Sequence, residues 1–458
     1  MSSPEQLIEI VMDNRSYNVS KSKLIEKSDY FRALYSSGMR EAGEDSVQLQ
    51  GLSVSGLELV LEFINTSKVQ VVNETLEDLI ETASFLQVTP ILKLLLSEIR
   101  LENCVEVFNL SEVYGTHELR TACLKFMSCH YHPMLRRPEF HTLPAESRDQ
   151  IREMRMSGTA TLVAVGDFVG TCLDLADQDE PWSMLRYGER EQRWKPLANN
   201  LPPDMVHVRG YGSAVLDNYL FIVGGYRMAS QEIAAAHCYN PCRNEWTHIA
   251  SLNQKRANFK LVAVSGKLYA VGGHGLSTVE CYGPEQDWWA CVSSMPNPLT
   301  EFSACECQDR NLSVLRYCPT SDTWSVLHTC SAHVRKQQML SVEDTIYLVG
   351  GYTRELEQAE QTRPNAAEDV LTVQSYNVHT AEWLQLRASV SKSGLNLTCA
   401  LHNDGIYIMS RDVGPRTSLE HRVFLKYNVF SDAWETFRRF PALGHNVLLC
   451  SLYLPNIH

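Results

Sequence analysis

Two patterns of apolar residues divide the chain. Up to about residue 156, apolar positions follow a helical period. Leu57, Val60, Leu61 and Ile64 fall at i, i+3, i+4 and i+7, the same spacing returns from Leu76 to Ala83, and apolar residues from Ile91 to Ile99 continue the helical period. Beyond that point, short apolar runs end in glycine, tyrosine or tryptophan. The pattern therefore predicts a largely helical unit followed by an all-β unit.

The β pattern repeats six times. In each copy a Tyr is followed seven positions later by a Trp, in the pairs Tyr187/Trp194, Tyr239/Trp246, Tyr282/Trp289, Tyr317/Trp324, Tyr376/Trp383 and Tyr427/Trp434. The mean spacing of about 48 residues suits a four-stranded sheet, which cannot bury both of its faces alone. Radial stacking into a six-bladed propeller solves this, and the fixed period argues against an unrelated β-sandwich.

The copies differ in quality. Glycine pairs end the second strand at Gly224/Gly225, Gly272/Gly273 and Gly350/Gly351, whereas Gly166/Asp167 and Ser410/Arg411 stand there in the first and sixth copies. After the last Trp, the run HNVLLCSLYLP is one strand too many for the sixth sheet. We expect this strand, 446–454, to pair into the first sheet and close the ring, which removes the open sheet edge.

The fourth repeat is short. Only 35 residues separate Trp289 from Trp324, and alignment with the third repeat leaves the strand with the glycine pair without a counterpart. The sequence thus predicts an incomplete fourth blade, with a strand missing between Cys307 and Asp309. Because such a gap uncovers apolar faces and ladder edges, we interpret it as an alternative transcript or an incomplete gene model.

The first hundred residues predict an α+β module. LIEIVMD and RSYNVS form a hairpin across Asp13 and Asn14, Ser20 caps one helix through KSKLIEKSDYFRALY, and VQL precedes three further helices. Residues 101–156 continue as helices that Gly115 and several prolines interrupt.

Composition and charge disfavour several classes of function. The net charge is −13 and no polybasic stretch occurs, which disfavours nucleic acid and anionic membranes as partners. The 14 cysteines include no CxxC pair, which predicts reduced thiols in the cytoplasm. Metal or cofactor binding is not expected, since the nearest clusters, Cys305 with Cys307 and Cys123 with Cys129, His130 and His132, lack a second ligand pair. No nucleophile elbow, phosphate loop or HExxH motif predicts an enzyme.

Several motifs resemble one family. SDYFRALYSSGMRE, LELVLEFINTSKVQV and LIETASFLQV resemble BTB helices, residues 101–156 resemble a shortened BACK domain, and the repeats resemble kelch repeats. The chain is thereby similar to the kelch-like family, with a BTB domain at 1–100, a BACK-like helical domain at 101–156 and a kelch propeller at 157–458.

That resemblance implies a function. Kelch-like proteins are non-catalytic substrate adaptors of cullin-3 RING ubiquitin ligases, so cullin-3, a protein substrate and a second copy bound through the BTB domain are the implied partners. VRGYGSA and NQKRANFKLVAV are similar to a family member linked to microtubule control in mitosis, which implies a cytoskeletal or spindle location. The alternative is a dimeric cytoskeletal scaffold without a ubiquitin role.

Met39 and Glu41 match the family's cullin-binding motif, a hydrophobic residue, any residue and a Glu. An apolar knob beside a carboxylate at a helix end can enter a groove and hold a polar partner. The alternative reading is a frayed helix end with a solvated carboxylate.

Five cations are the candidate substrate-binding residues. They occupy the loops that follow the glycine pairs or link the repeats, with Lys392 nearby: Arg209, Arg227, Arg256, Arg335 and Lys336. Cations converging over a propeller mouth favour an acidic or phosphorylated peptide. In the alternative, they are separate solvated cations paired with neighbours such as Glu301.

Overall fold

The structure is a computed structural model. It describes residues 6–38, 43–168, 182–197, 201–298, 305–307, 310–312, 315–326, 338–350, 371–389, 397–410, 423–437 and 447–455. The chain divides into two compact units, Met1–Met154 and Arg155–His458. Among the described residues, no helix combines the length and the apolar character that a membrane span needs.

The first unit contains a small mixed sheet. Its strands are β1 (Leu7–Met12), β2 (Arg15–Ser20) and β3 (Ser46–Gln48), with β1 antiparallel to β2 and parallel to β3. The β1–β2 turn has positive φ at Asp13 (45°) and Asn14 (64°), as a two-residue hairpin requires. The predicted hairpin therefore forms at the predicted position.

Helices make up the rest of this unit. In chain order they are α1 (Lys21–Lys27), α2 (Asp29–Ser36), α3 (Val54–Thr66), α4 (Leu76–Phe85), α5 (Thr89–Ser97), α6 (Cys104–Val113), α7 (His117–Cys129), α8 (Tyr131–Leu135) and α9 (Pro138–His141); α10 (Ala145–Arg155) runs up to the division. The apolar positions predicted for α3 are all buried, since Leu57, Val60, Leu61 and Ile64 are at most 4% exposed. Burial of this stripe holds α3 in the core.

One predicted helix is two helices. Residues 21–35 were expected to be continuous after a Ser20 cap, but Ser28 is extended (φ −122°, ψ 121°) and separates α1 from α2. The Ser28 hydroxyl donates to Leu86 O and accepts from Phe31 N, whereas the Ser20 side chain makes no cap bond. Ser28 is therefore the cap, and its bond to Leu86 explains the break.

The second unit consists mainly of antiparallel sheets. Its described residues form six four-stranded sheets, which we number from the one that contains the first strand. Sheet one orders β29 (Leu448–Leu454), β4 (Thr159–Phe168), β5 (Trp182–Gly188) and β6 (Arg193–Pro196). Sheet two orders β7 (Gly212–Leu216), β8 (Tyr219–Val223), β11 (Ala236–Asn240) and β12 (Glu245–His248), and a small hairpin, β9 (Tyr226–Arg227) with β10 (Gln231–Glu232), leaves it.

Sheets three to six each use four consecutive strands. Sheet three is β13 (Lys260–Val264), β14 (Lys267–Gly273), β15 (Leu276–Gly283) and β16 (Trp288–Val292); sheet four is β17 (Cys305–Cys307), β18 (Arg310–Leu312), β19 (Leu315–Cys318) and β20 (Thr323–Val326); sheet five is β21 (Gln338–Val342), β22 (Thr345–Gly350), β23 (Thr372–Asn377) and β24 (Glu382–Gln385); sheet six is β25 (Thr398–His402), β26 (Gly405–Ser410), β27 (Val423–Asn428) and β28 (Ala433–Thr436).

The sheets form a closed ring. Their inner strands contact each other in the cycle β7, β13, β17, β21, β25, β29 and back to β7. The ring closes where β29 pairs antiparallel with β4, from Leu448 opposite Val165 to Leu454 opposite Thr159. This is the pairing that the sequence predicts for the C-terminal strand.

Apolar cores lie between neighbouring sheets. On β4, Leu162 and Ala164 pack in a cluster with sheet six, while Val163 and Val165 pack in a cluster with sheet two. A strand whose alternate residues are buried on both faces has to be covered by a sheet on each side. Radial stacking, not a two-layer sandwich, is thus how these sheets bury their surfaces.

Sheet four differs from its prediction. A three-stranded blade was expected, but the described residues form four strands, because NLSVLRY contributes to both β18 and β19 and not to one strand. β17 and β18 have three residues each, against five and seven for β13 and β14. The shortened repeat is accommodated by shorter strands; residues 308–309, beside the predicted gap, lie outside the described part of the chain.

Side chains of sheet three form hydrogen bonds with both backbone groups of Ala250, at the end of sheet two. Tyr282 Oη donates to Asp287 Oδ1 (2.7 Å), and this oxygen also accepts from the amide of Ala250 (3.2 Å), just beyond β12. Trp289 Nε1 donates to Ala250 O (2.8 Å). We call this set of three side chains, bonded to both backbone groups of one residue in the preceding sheet, the inter-sheet clamp.

The inter-sheet clamp recurs at two more junctions. Tyr317, Asp322 and Trp324 of sheet four hold Ser293, and the corresponding residues of sheet six, Tyr427, Asp432 and Trp434, hold Arg387. The hydrogen bonds from Tyr317 and from the Ser293 amide lower the pKa of the Asp322 carboxyl. Its contribution to stability is therefore present at neutral pH and is lost as the pH falls through that lowered pKa.

The other sheets have incomplete clamps. The carboxylate position is Gln192 in sheet one, Asn244 in sheet two and Ala381 in sheet five, although all three have positive φ like the aspartates. In sheet one, Tyr187 Oη and Trp194 Nε1 are buried without a hydrogen-bond partner among the described atoms, and burial raises the pKa of Tyr187 to about 12. The Tyr and Trp rings pack alike at these junctions, but the hydrogen bonding is only partly kept: in sheet two Tyr239 Oη still donates to Asn244 Oδ1 (2.8 Å).

We expect Asp287→Ala to lower the free energy of unfolding of the second unit by about 1 to 3 kcal/mol, because Tyr282 Oη and the Ala250 amide both lose their acceptor. All eight Trp residues belong to this unit, so Trp fluorescence in urea reports its unfolding in the full-length chain. The control is Glu285→Ala, an exposed carboxylate of the same turn. Equal midpoints for the two variants would contradict the clamp.

Candidate functional site

One face of the ring carries the connections between sheets and those between second and third strands. Around sheets two and three this face, which we call the loop face, comprises residues 201–211, 224–235, 249–259 and 274–275. The opposite face carries the tight turns inside each sheet, such as Ser265–Gly266. Loops on a rigid scaffold are the usual place for binding residues.

The glycine pair of sheet two brings two loops together. Gly224 (φ 62°) and Gly225 (φ 103°) adopt left-handed backbone, and Gly225 N donates to Arg256 O (2.9 Å). A Cβ on Gly225 would lie 2.5 Å from Val208 Cγ1 and 2.7 Å from Arg209 O. Only glycine therefore allows the loops before β7 and before β13 to close over the end of β8.

Arg209 and Arg227 lie close together on the loop face. Both are exposed, and the backbone of Arg209 pairs with that of Tyr226, the residue before Arg227. Arg227 Nη2 donates to Asp204 O (2.6 Å), while the Asp204 carboxylate contacts His237 Nε2 (2.8 Å). The structure thus places two of the predicted cations at neighbouring, exposed backbone positions of the loop face, and Arg227 is held by its hydrogen bond to Asp204 O.

For Arg256 the prediction of an exposed cation requires correction. Its side chain is 0% exposed, and Arg256 Nη2 lies 2.7 Å from Glu280 Oε1, which is itself buried. Arg256 Nη1 donates to Gly272 O (2.7 Å) and to Thr278 O (2.9 Å). A guanidinium enclosed in this way cannot touch a substrate at the surface.

The partner carboxylate explains what this ion pair does. Glu280 on β15 accepts the backbone amides of Asn253 (2.8 Å) and Gln254 (3.1 Å), in the loop that links sheets two and three. The Glu280 carboxylate binds the loop at Asn253 and Gln254, and the Arg256 guanidinium binds β14 and β15. The ion pair therefore fixes the loop against these two strands. Arg256 is therefore a structural residue that positions the loop face.

The remaining predicted site residues lie outside the described part of the chain. These are Arg335, Lys336 and neighbouring Lys392 on the substrate side, and Met39 with Glu41 on the cullin side. Their predicted roles remain predictions. The described segment that precedes Met39 ends at Gly38. Ser37 N donates to Leu34 O at the end of α2, and Gly38 (φ 69°) follows in left-handed backbone, as is typical of a residue that terminates a helix.

Two exposed residues of the loop face were missed. Met228, at the tip of the β9–β10 hairpin, is 91% exposed, and Lys255 is exposed beside buried Arg256. Met228 follows Arg227 directly, so an apolar side chain borders the pair of cations. A methionine in a polar loop was the available sequence signal, because exposed apolar residues in loops mark contact surfaces.

The inner strands enclose a central cavity of about 580 Å³. Residues of β7, β13, β21, β25 and β29 line it, among them Ser213, Lys260, Gln338 and Thr398. Burial lowers the pKa of the Lys260 ammonium and raises the pKa of the Cys399 thiol to about 12. Among the described residues, no group of His, Cys, Asp and Glu is arranged to hold a metal ion.

Comparison with family models identifies both parts of the chain. The BTB/POZ domain model matches residues 8–100, and the Kelch motif model matches residues 207–253 and 255–296. The two Kelch motif matches cover sheets two and three, which carry the loop face described above. These matches confirm the BTB domain and the kelch sheets of the predicted fold class.

Relatives match along almost the whole chain. Kelch-like protein 42 of Homo sapiens is 57% identical over 502 residues, which cover 99% of each chain, and Kelch-like protein 42 of Mus musculus is 57% identical over 490 residues with the same coverage. Kelch-like protein 26 of Danio rerio is 23% identical over 565 residues, 98% of this chain and 91% of its own. Because these lengths exceed 458 residues, each alignment contains positions that this chain lacks.

We expect Arg256→Met to destabilise the second unit by about 3 to 5 kcal/mol, because Glu280 is left buried without its partner. Arg256→Met/Glu280→Leu should recover a large part of that loss. Arg209→Met, which removes an exposed arginine, should stay within about 0.5 kcal/mol of the parent. Urea unfolding of the parent and these three variants measures the losses. A loss no larger for Arg256→Met than for Arg209→Met would contradict the buried ion pair.

Proposed function

Because the chain belongs to the BTB–kelch family, we propose that it is a non-catalytic substrate adaptor of a cullin-3 RING ubiquitin ligase. The BTB domain would bind cullin-3, and the loop face of the propeller would bind the protein to be ubiquitinated. The observation that carries this proposal is the presence, on one chain, of a BTB domain and a closed ring of kelch sheets with a basic pair on its loop face.

For the cullin side, the position of the motif supports the proposal. In the sequence, Met39 and Glu41 come one and three positions after Gly38, where α2 has ended. Phe31, 0% exposed within α2, fixes the helix that precedes the motif.

For the substrate side, charge and shape support an acidic or phosphorylated segment. Arg209 and Arg227 present two guanidinium groups, and such groups bind carboxylates and phosphates in bidentate fashion. Met228 offers an apolar contact beside them. A segment that joins acidic residues to an apolar one fits this combination.

We also propose that the chain forms a homodimer through its BTB domain. Its location would be the cytoplasm or the spindle, and its substrate would be a regulator of microtubules. The 57% identity with Kelch-like protein 42 supports treating the two proteins as counterparts. A dimeric scaffold without a ubiquitin role would make the same BTB dimer, and it is distinguished by the absence of cullin-3.

Met39→Asp should abolish co-precipitation of cullin-3, because a carboxylate cannot enter an apolar groove without losing its hydration. The measurement is a pull-down of purified cullin-3 with purified full-length chain. Arg40→Asp, which changes the neighbouring residue by a larger charge, is the matched control and should retain binding. Undiminished capture by Met39→Asp would remove the motif from the cullin interface.

Arg209→Glu/Arg227→Glu should reduce substrate capture at least about tenfold while leaving cullin-3 capture unchanged, because each lost charge-assisted hydrogen bond costs about 1.5 to 3 kcal/mol. Proteins co-purified with the full-length chain are quantified by mass spectrometry. The control, Arg243→Glu/Lys267→Glu, makes the same charge change in turns of the opposite face. If both double variants lose the same co-purified proteins, those proteins bind through the net charge of the chain and not through the loop face.

A further inference from the structure

The exposed guanidinium of Arg227 has a carboxylate close by with which it does not pair. Arg227 Nη2 donates to the backbone carbonyl of Asp204 (2.6 Å), so the side chain of that same residue is near the guanidinium as well. Opposite charges at such a separation attract each other. Although both residues lie in the described part of the chain, no ion pair joins Arg227 to the Asp204 carboxylate. Another contact must therefore hold this carboxylate.

That contact comes from a buried histidine of sheet two. His237 Nε2 lies 2.8 Å from Asp204 Oδ2. Because an ionised carboxylate only accepts hydrogen bonds, the proton is on Nε2 and the histidine is the donor. His237 is 6% exposed, whereas the Asp204 side chain is 40% exposed. The bond therefore ties an otherwise accessible carboxylate to the strand beneath the loop face.

Both partners of this hydrogen bond are carried by well-fixed backbone. His237 lies in β11, which pairs with β8 on one side and with β12 on the other, and its ring meets that of His248 edge-on with the centroids 5.0 Å apart. Asp204 lies in a turn that Met205 N closes by donating to Pro202 O (2.8 Å), and Met205 is 2% exposed. The contact between His237 and Asp204 is thus built into the fold.

Without this bond, the Asp204 carboxylate would be free to pair with Arg227. Rotation of the Asp204 side chain is sufficient, because the backbone oxygen of the same residue already contacts Nη2. A carboxylate can bind a guanidinium in bidentate fashion, and it would then occupy donors that a substrate needs. In the parent chain the carbonyl of Asp204 accepts from Nη2 alone, which leaves the other guanidinium donors of Arg227 open.

We propose that His237 is a positioning residue of the substrate site, which keeps the guanidinium of Arg227 available by holding the Asp204 carboxylate away from it. The inference rests on the proposed function, in which Arg227 binds an acidic or phosphorylated segment, and it deepens that function. His237 itself does not touch the substrate. A buried histidine on a strand thus decides whether a cation on the loop above it can bind a partner.

The first test measures how fast phenylglyoxal, a reagent for arginine, modifies Arg227 in the full-length chain, with the modified peptides quantified by mass spectrometry. Pairing with a carboxylate slows this reaction, because it stabilises the protonated, unreactive guanidinium. In the parent chain, Arg227 should react faster than Arg243, an exposed arginine of the same sheet whose Nε lies 2.7 Å from Glu245 Oε1. This comparison needs no variant, so it does not depend on whether a variant folds.

Three variants separate positioning from general loosening of the loop. His237→Leu removes the donor at similar volume and should slow the modification of Arg227 about two- to fivefold, the effect that an exposed ion pair can have. His237→Gln keeps an N–H group at a similar reach and should react like the parent. His237→Leu/Asp204→Asn removes the freed charge and should restore the parent rate. A loop that had merely loosened would instead expose Arg227 and speed its reaction.

The second test uses the same chains and quantifies the co-purified proteins whose capture depends on Arg209 and Arg227. His237→Leu should lower their capture about two- to fivefold, while cullin-3 capture stays unchanged. His237→Gln and His237→Leu/Asp204→Asn should capture these proteins like the parent. Recovery through a second substitution at Asp204 is expected only if His237 acts through that carboxylate.

Three results would overturn the inference: Arg227 reacts no faster than Arg243 in the parent chain, His237→Leu leaves the modification rate unchanged, or His237→Leu slows modification without lowering capture. Failure of the proposed function has a different signature. If Arg209→Glu/Arg227→Glu loses no co-purified protein, the two arginines do not bind substrate, whereas the phenylglyoxal rates still report whether His237 holds Asp204 away from Arg227.

Discussion

The inter-sheet clamp is the interaction on which the ring depends. A single residue just beyond the last strand of one sheet gives its amide to an aspartate and its carbonyl to a tryptophan of the next sheet, and a tyrosine holds the aspartate in place. Three junctions have this arrangement in full. Because both backbone groups of the held residue are satisfied, the ends of sheets two, three and five are fixed without leaving these polar groups unpaired.

Fixing the sheets also fixes the loop face. Once sheets two and three are in register, the glycine pair of β8 admits the two neighbouring loops, and the buried pair of Arg256 and Glu280 holds one of them from below. The exposed cations Arg209 and Arg227 then stand on a rigid base. Three features therefore support binding on this face: the clamps between sheets, the buried ion pair beneath the loops, and the exposed charges.

Much of this architecture could be read from the sequence, because the spacing of Tyr and Trp reflects the register of β11 with β12 and of its counterparts. The burial of Arg256 could not, since a cation in a loop gives no sign of the direction it faces; its partner Glu280 lies 24 residues away on another strand. The two strands within NLSVLRY were missed because alignment to a longer repeat assumes strands of equal length.

We propose that the BTB domain of this chain binds cullin-3 while the chain is dimeric. The most direct measurement is the mass of the assembly formed by the purified 51.9 kDa chain and purified cullin-3, determined by light scattering during size-exclusion chromatography. We expect one particle that contains two copies of each protein. Two separate peaks, each with the mass of one protein or its own dimer, would contradict it.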